Sequence, residues 1–437
     1  MNRQNDENID NMLEDSRDLY SDSSAASNAE SDKQGGQNVD NKPKIAAASD
    51  VDDYVFLNSV RKKKKVKRTS YSASAHRDDI VVRSHTTNRM SKHKKRHHHK
   101  HRKMKRWKKV LITVASTLLA LVMLFVGTVA YLIYRGGTEL FNSEISVTAP
   151  DGVSVQENGK YVVYNGDTYK FNSSVTNILF IGVDKRSIDD MSEISGTGGQ
   201  ADVLVLASVD TSTGKISLVN ISRETMADVT VYSAGGSYLS TETQQICLAY
   251  AYCDGKNLSC ENTVNSVKKL FYNIPINTYY ALDLDGISAI NDTVGGVDVV
   301  SPETIGEFTA GQSYHLMGEH AENFVRLRDT ENTESNNLRM ERQKVYMQSF
   351  LNKTIEQTKQ DFGTPINLYN DSAPYSCTNL NPSKVCYLAQ TAIRNGSMAI
   401  DMVSVPGEVT MGKKYAEFNV DEKAFYEQFL SIYYTKM

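Results

Sequence analysis

Twenty-five consecutive residues, Val110–Tyr134 (VLITVASTLLALVMLFVGTVAYLIY), contain no charged side chain. As a helix rising ~1.5 Å per residue the run is about 38 Å long, enough to cross a ~30 Å hydrocarbon core with some tilt. It is too long and too far into the chain for a signal peptide, and no small-x-small cleavage pattern follows it. The reading is a retained transmembrane helix over 110–134.

The flanks set its expected orientation. Lys92–Lys109 reads KHKKRHHHKHRKMKRWKK, whereas Arg135 is the only Lys or Arg between 110 and 159. Basic flanks stay on the cytoplasmic side, so residues 1–109 are expected inside and 135–437 outside. The formal net charge of −3 hides a strong segregation. Residues 1–53 carry 13 Asp/Glu against five Lys/Arg, and residues 61–109 carry 21 Lys/Arg against two Asp. This tail, acidic then polybasic, lacks apolar periodicity and is expected to be disordered. Beside a membrane span, its basic half suits orientation and anionic lipid at ~1 kcal/mol per basic residue better than it suits nucleic acid.

Beyond the span, 135–173 shows alternating apolar residues with Asn-Gly and Asp-Gly turns, expected as an extracellular stalk and hairpin. Three apolar runs follow: NILFIGVD, ADVLVLASVD and KISLVNIS. They predict strands covered on both faces. Helical periodicity is expected near 243–252, 261–272, 285–294, 317–326 and 337–357, with a late strand over 401–409 and a terminal amphipathic helix. The expected fold of 174–437 is α/β, a three-layer α-β-α domain around a mixed, largely buried sheet.

Chemistry-bearing residues gather at the strand ends. Asp184 ends the first run, Asp202 begins the second and Arg223 follows the third, so all three can meet at one rim. Two carboxylates without paired cysteines suit a hard cation such as Mg²⁺ or Mn²⁺. Phe324–Gln343 (FVRLRDTENTESNNLRMERQ) adds Arg326, Arg328, Arg339 and Arg342. Arg326 and Arg328 share a side if the chain is extended; Arg339 and Gln343 share a helix face. Guanidinium forks match phosphate oxygens at any physiological pH. Salt bridging to nearby glutamates would account for any one of these arginines, but the set with two carboxylates reads as a pyrophosphate site with one divalent metal. No Ser–His–Asp pattern is present, and His315 and His320 are the only histidines after residue 101. Metal and electrostatic stabilisation therefore fit phosphoryl transfer.

All five cysteines lie after residue 240 and none has CxxC spacing. Cys253 and Cys260 flank a turn-rich hexapeptide, and Cys377 and Cys386 flank an Asn/Pro loop. Both pairs are candidate disulfides in an oxidising compartment, with Cys247 a buried thiol.

NILFIGVDKR, ADVLVLASVD, KISLVNISRET, YYALDLDGISAINDTVGGVDV, HLMGEHAENFVRLRD and LRMERQ occur in the order and spacing of the LytR–CpsA–Psr family, and the chain resembles it over a core of 177–357. The resemblance implies a membrane-anchored phosphotransferase that moves a glycopolymer, such as teichoic acid or capsule, from a polyprenyl-pyrophosphate carrier to peptidoglycan through a phosphodiester. It implies Asp184 and Asp202 as Mg²⁺ ligands, Arg223, Arg326, Arg328, Arg339 and Gln343 around the pyrophosphate, and an apolar tunnel for the prenyl chain. Gln200 stands where the family usually has Arg. Two alternatives accompany this reading: a transcriptional attenuator, the family's historical label, and a hydrolase that binds polyprenyl pyrophosphate.

Overall fold

In a computed structural model, the described residues are 105–188, 199–233, 235–329, 335–395 and 399–437. The acidic and polybasic stretches before residue 105 lie outside them.

Helix α1, Arg106–Phe141, contains the apolar run and extends it at both ends to 36 residues. Among the described residues it is the one helix long and apolar enough to cross a membrane, with a mean hydropathy of 2.6. Its C-terminal end does not hang free. A Cβ added at Gly136 would lie 2.0 Å from the Ser383 carbonyl oxygen, so only glycine lets the two backbones approach this closely. Glu139 accepts from Arg135 at 2.7 Å and from Asn381 at 2.6 Å, tying the last turns of α1 to the start of a later helix.

The next segment builds strands β1 Ser154–Gln156, β2 Tyr161–Tyr164 and β3 Asp167–Phe171. They form a small antiparallel sheet that places Val147, Val162 and Phe171 in the main core. Then come β4 Val175–Val183, β5 Ala201–Asp210 and β6 Ile216–Ile221, on the three apolar runs. A hairpin, β7 Met226–Tyr232 and β8 Tyr238–Gln245, precedes helices α2 Leu248–Ala251 and α3 Asn257–Leu270. The helix expected over 243–252 is therefore a strand through Gln245 followed by a single turn. Strand β9 Thr278–Leu282 leads into α4 Leu284–Thr293, capped by the Asp283 carboxylate accepting from the Gly286 amide. Strands β10 Val297–Val300 and β11 Ser313–Leu316 pair before α5 Glu319–Arg326 and the long α6 Ser335–Gln360.

Helix α7 Thr364–Ser372, strand β12 Ser376–Thr378 and helix α8 Pro382–Asn395 follow. The expected strand at 401–409 is interrupted at Val405–Pro406, giving β13 Ile400–Ser404 and β14 Gly407–Met411. β14 turns into β15 Ala416–Val420, and α9 Glu422–Tyr433 runs into β16 Tyr434–Lys436, which closes the small sheet against β3.

The six-stranded sheet has the order β12-β9-β4-β5-β6-β13 and is mixed: β4–β9 and β6–β13 are parallel, the other pairs antiparallel. Period-two alternation sends Leu204 and Leu206 to one face with Tyr250, Val267, Phe425 and Phe429 of the helices. Val205, Ala207 and Val209 point to the other, where Met347, Leu351 and Ile355 of α6 cover them. The three-layer α/β expectation holds.

The two expected disulfides are not made, and all five cysteines are free thiols. Cys253 lies in the turn before α3 and meets Asn262. Cys260, on the buried face of α3, instead meets the Cys377 thiol of β12, a partner 117 positions away that local spacing could not suggest.

Overpacking a tight crossing costs about 1–3 kcal/mol. Gly136→Leu should lower thermal stability of the full chain in micelles by that order. Gly127→Leu, where an added Cβ meets nothing within 4 Å, should not. Equal melting temperatures for the two variants would contradict the docked α1 end.

Candidate functional site

The register of three adjacent strands builds the site. Gly182 of β4 pairs with Val203 of β5, but the next residue, Val183, pairs with Ala201. Asp202 is therefore the extra residue of a bulge, which kinks the strand and re-aims its side chain. The close approach requires glycine at 182, where a Cβ would stand 2.9 Å from that of Val203. On the other side, Leu204 pairs with Ile221 in antiparallel register. Two steps beyond, Asp202 stands opposite Arg223, and their side chains form an ion pair.

Gln200 joins this network. Its amide donates to Asp184 Oδ1 at 2.7 Å, and its side-chain Oε1 accepts from Arg223 Nη2 at 2.6 Å. The residue that replaces the family's usual arginine thus orients another arginine. Beside it, burial pushes the Cys247 thiol up to about 11 despite the Arg223 cation nearby.

A cleft of about 220 Å³ opens above the network, lined by Arg223, Glu224, Gln245, Arg328, Arg339, Tyr415 and Ala416. Its electrostatics are frustrated. Burial raises the Asp202 carboxyl above the usual range, Arg223 draws it back and Asp184 pushes it up again. For Arg223, burial pulls the pKa down, but Asp202 together with Cys247, Glu224 and Asp184 outweighs it, so the group is held charged. Arg339 is pulled down by burial and further by the cations of Arg328 and Arg223, against the attraction of Asp202. Three guanidinium groups on one cavity make it a place where an anion is favoured. Two carboxylates at one rim fit Mg²⁺, which takes one or two protein carboxylates and fills its shell with water and phosphate oxygens. No group of three His, Cys, Asp or Glu side chains forms a metal cage among the described residues.

The cluster expected from the sequence is brought together in part. Asp184, Asp202, Arg223, Arg328 and Arg339 converge. Arg326 is not among the cleft-lining residues: it ends α5, so the condition of an extended chain is not met at this pair, and Arg328 follows beyond the helix. Its guanidinium pairs with Glu322, which also takes Arg186 at 3.0 Å. Arg342 is fully buried: Nε meets Glu303 at 2.6 Å, and its Nη groups donate to the carbonyls of Phe324 and Leu327. Gln343 Nε2 donates to the Val325 carbonyl at 3.2 Å. Arg342 and Gln343 thus clamp the backbone of 324–327, holding the segment that presents Arg328.

Sequence reasoning missed Glu224, Gln245 and Tyr415. Glu224 had a signal, its adjacency to Arg223. The other two arrive on hairpins whose placement depends on tertiary pairing.

Removing one partner of a buried ion pair costs about 3–5 kcal/mol, while exposed pairs are worth under ~1 kcal/mol. Glu303→Ala, which strands Arg342, should therefore lower the unfolding free energy several-fold more than Asp285→Ala, which removes an exposed partner of Arg186. Similar losses in denaturant titrations would contradict the structural role of Arg342.

Comparison with known proteins gives the family. The TagU polyisoprenyl-teichoic acid–peptidoglycan teichoic acid transferase of Bacillus mycoides (strain KBAB4) is 28% identical over 235 residues, covering 52% of this chain and 69% of its own. The protein of the same name from Enterococcus faecalis (strain ATCC 700802 / V583) is 25% identical over 183 residues, 41% and 54% of the two chains. Among solved structures, Bacillus subtilis TagV is 22% identical with a TM-score of 0.45, covering 59% of this chain and 96% of that one. TagT bound to LI-WTA is 16% identical with a TM-score of 0.43, over 59% and 89%. The LytR_cpsA_psr family profile matches residues 147–430, about two-thirds of the sequence and the whole of the described sheet. The chain belongs to the LytR–CpsA–Psr family.

Proposed function

We propose that this protein is a membrane-anchored phosphotransferase. It transfers a glycopolymer from a polyprenyl-pyrophosphate carrier to a peptidoglycan hydroxyl, forming a phosphodiester. The observation that carries the reading is the convergence of Arg223, Arg328 and Arg339 on one cleft, with Asp202 paired to Arg223 behind its lining. A diphosphate offers several oxygens to fork-shaped donors. Basic residues before α1 orient the span so that the domain faces the outer surface, where peptidoglycan lies.

In this reading an acceptor hydroxyl attacks the glycan-bearing phosphorus. The new O–P bond forms as the P–O bond to the prenyl phosphate breaks. Arg223, Arg328 and Arg339 hold the phosphate oxygens and stabilise charge as it shifts to the leaving group. A rim carboxylate accepts the hydroxyl proton. Mg²⁺ held by Asp184 and Asp202 would neutralise phosphate charge when bound. Gln200 keeps Arg223 aimed, and Gln343 serves through the backbone it fixes.

Losing one donor to a developing oxyanion costs roughly 10²–10³ in rate. Full-length protein in vesicles, given a polyprenyl-pyrophosphate glycan and peptidoglycan oligomers, should form a covalent conjugate. Arg339→Ala and Asp202→Asn should each reduce its formation at least about a hundredfold while inserting normally. Wild-type rates in both variants would overturn the proposal.

A further inference from the structure

Two of the cleft-lining residues, Tyr415 and Ala416, come from a separate hairpin and not from the segments that carry the arginines. This is the hairpin β14–β15, whose four-residue turn, Gly412–Tyr415, closes through the Gly412 amide donating to the Tyr415 carbonyl at 2.9 Å. The hairpin is stitched to the strands that carry the chemistry. The Phe418 amide donates to the Glu224 carbonyl at 2.8 Å, Phe418 bridges to Thr225, and Gln245 Nε2 donates to the Ala416 carbonyl at 2.7 Å. Main-chain bonds therefore fix where Tyr415 stands relative to Arg223. Its side chain remains 49% exposed at the cleft wall.

An aromatic face beside three cations describes a ligand with two unlike parts. One part is anionic and multiply charged. The other, joined to it at short range, has an apolar face that an aromatic ring can cover and hydroxyl or amide groups at its edge. Glu224 and Gln245 line the same wall and can accept or donate to such groups. A lipid chain would not use the polar pair, and a bare diphosphate would not use the ring. A pyranose attached directly to phosphate uses both.

We infer that Tyr415, with Gln245 and Glu224, forms a sugar-ring subsite adjoining the phosphate cleft, and that the β14–β15 hairpin selects for the sugar bonded to the reacting phosphate or for the sugar that supplies the attacking hydroxyl. The inference rests on the phosphate reading above and adds to it a recognition element on a different part of the chain. Tyr415 acts by covering the ring and takes no part in bond making. Its hydroxyl is dispensable and its aromatic face is not.

The test uses full-length protein in nanodiscs and two lipids, a polyprenyl diphosphate and the same lipid bearing one N-acetylhexosamine. Wild type should bind the sugar-bearing lipid more tightly. In Tyr415→Ala the ratio of the two affinities should fall by roughly tenfold, the range of one aromatic contact, whereas Tyr415→Phe should keep it. If the ratio is unchanged but KM for a muramoyl acceptor rises about tenfold with kcat kept, the subsite holds the acceptor sugar, and the inference stands. An unchanged ratio and an unchanged acceptor KM in Tyr415→Ala would overturn it. Failure of wild type to bind either lipid would overturn the phosphate reading itself, and the subsite with it.

Discussion

The register of β4, β5 and β6 is the constraint on which the site depends. A one-residue bulge at Asp202 lets a carboxylate leave the ladder at the point where Arg223 passes in antiparallel register and where the chain from Asp184 crosses the rim. A slip of one residue would turn each of these side chains to the opposite face. Both faces of the sheet are packed, with Leu204 and Leu206 on one side and Val205 and Ala207 on the other, all buried. Register is therefore set by the core, and the core in turn sets the chemistry.

Other elements hold strained charge in place. Arg328 and Arg339 share a cavity with Arg223, and the carboxylates of Asp202 and Glu224 draw on Arg339 against the push of the two neighbouring cations. The segment bearing Arg328 is held by three backbone carbonyls bonded to Arg342 and Gln343. Arg342 in turn is neutralised by Glu303, 39 positions upstream. A buried, fully bonded arginine specifies one arrangement of the loop more than it adds stability.

Much of the fold is legible in the sequence because its central strands are near-continuous apolar runs bounded by turns. The rim residues are legible for the same reason, since each sits at a strand end. What fails is informative. The stretch 243–252 looks helical by composition, yet β8 runs through the polar TETQQ because β7 pairs with it. Arg326 and Arg328 look equivalent by spacing, but the end of α5 separates them. Arg342 looks like another phosphate-binding cation, and its partner Glu303 lies too far along the chain for local pattern to reveal. Cys260 finds Cys377 in the same non-local way. Tyr415 carries no motif, because its place at the cleft comes from hairpin pairing to Glu224 and Gln245.

The central claim is that the rim carboxylates and three arginines together form a site for a diphosphate. Ligand-induced stabilisation tests it most directly, because a ligand that binds only the folded state at 100 times its Kd adds about 2.7 kcal/mol. Thermal unfolding of the full-length protein in micelles, with Mg²⁺ present throughout and inorganic pyrophosphate titrated in, should show a saturable rise in melting temperature that Arg339→Ala abolishes. No rise in the wild type, or an equal rise in the variant, would contradict the account.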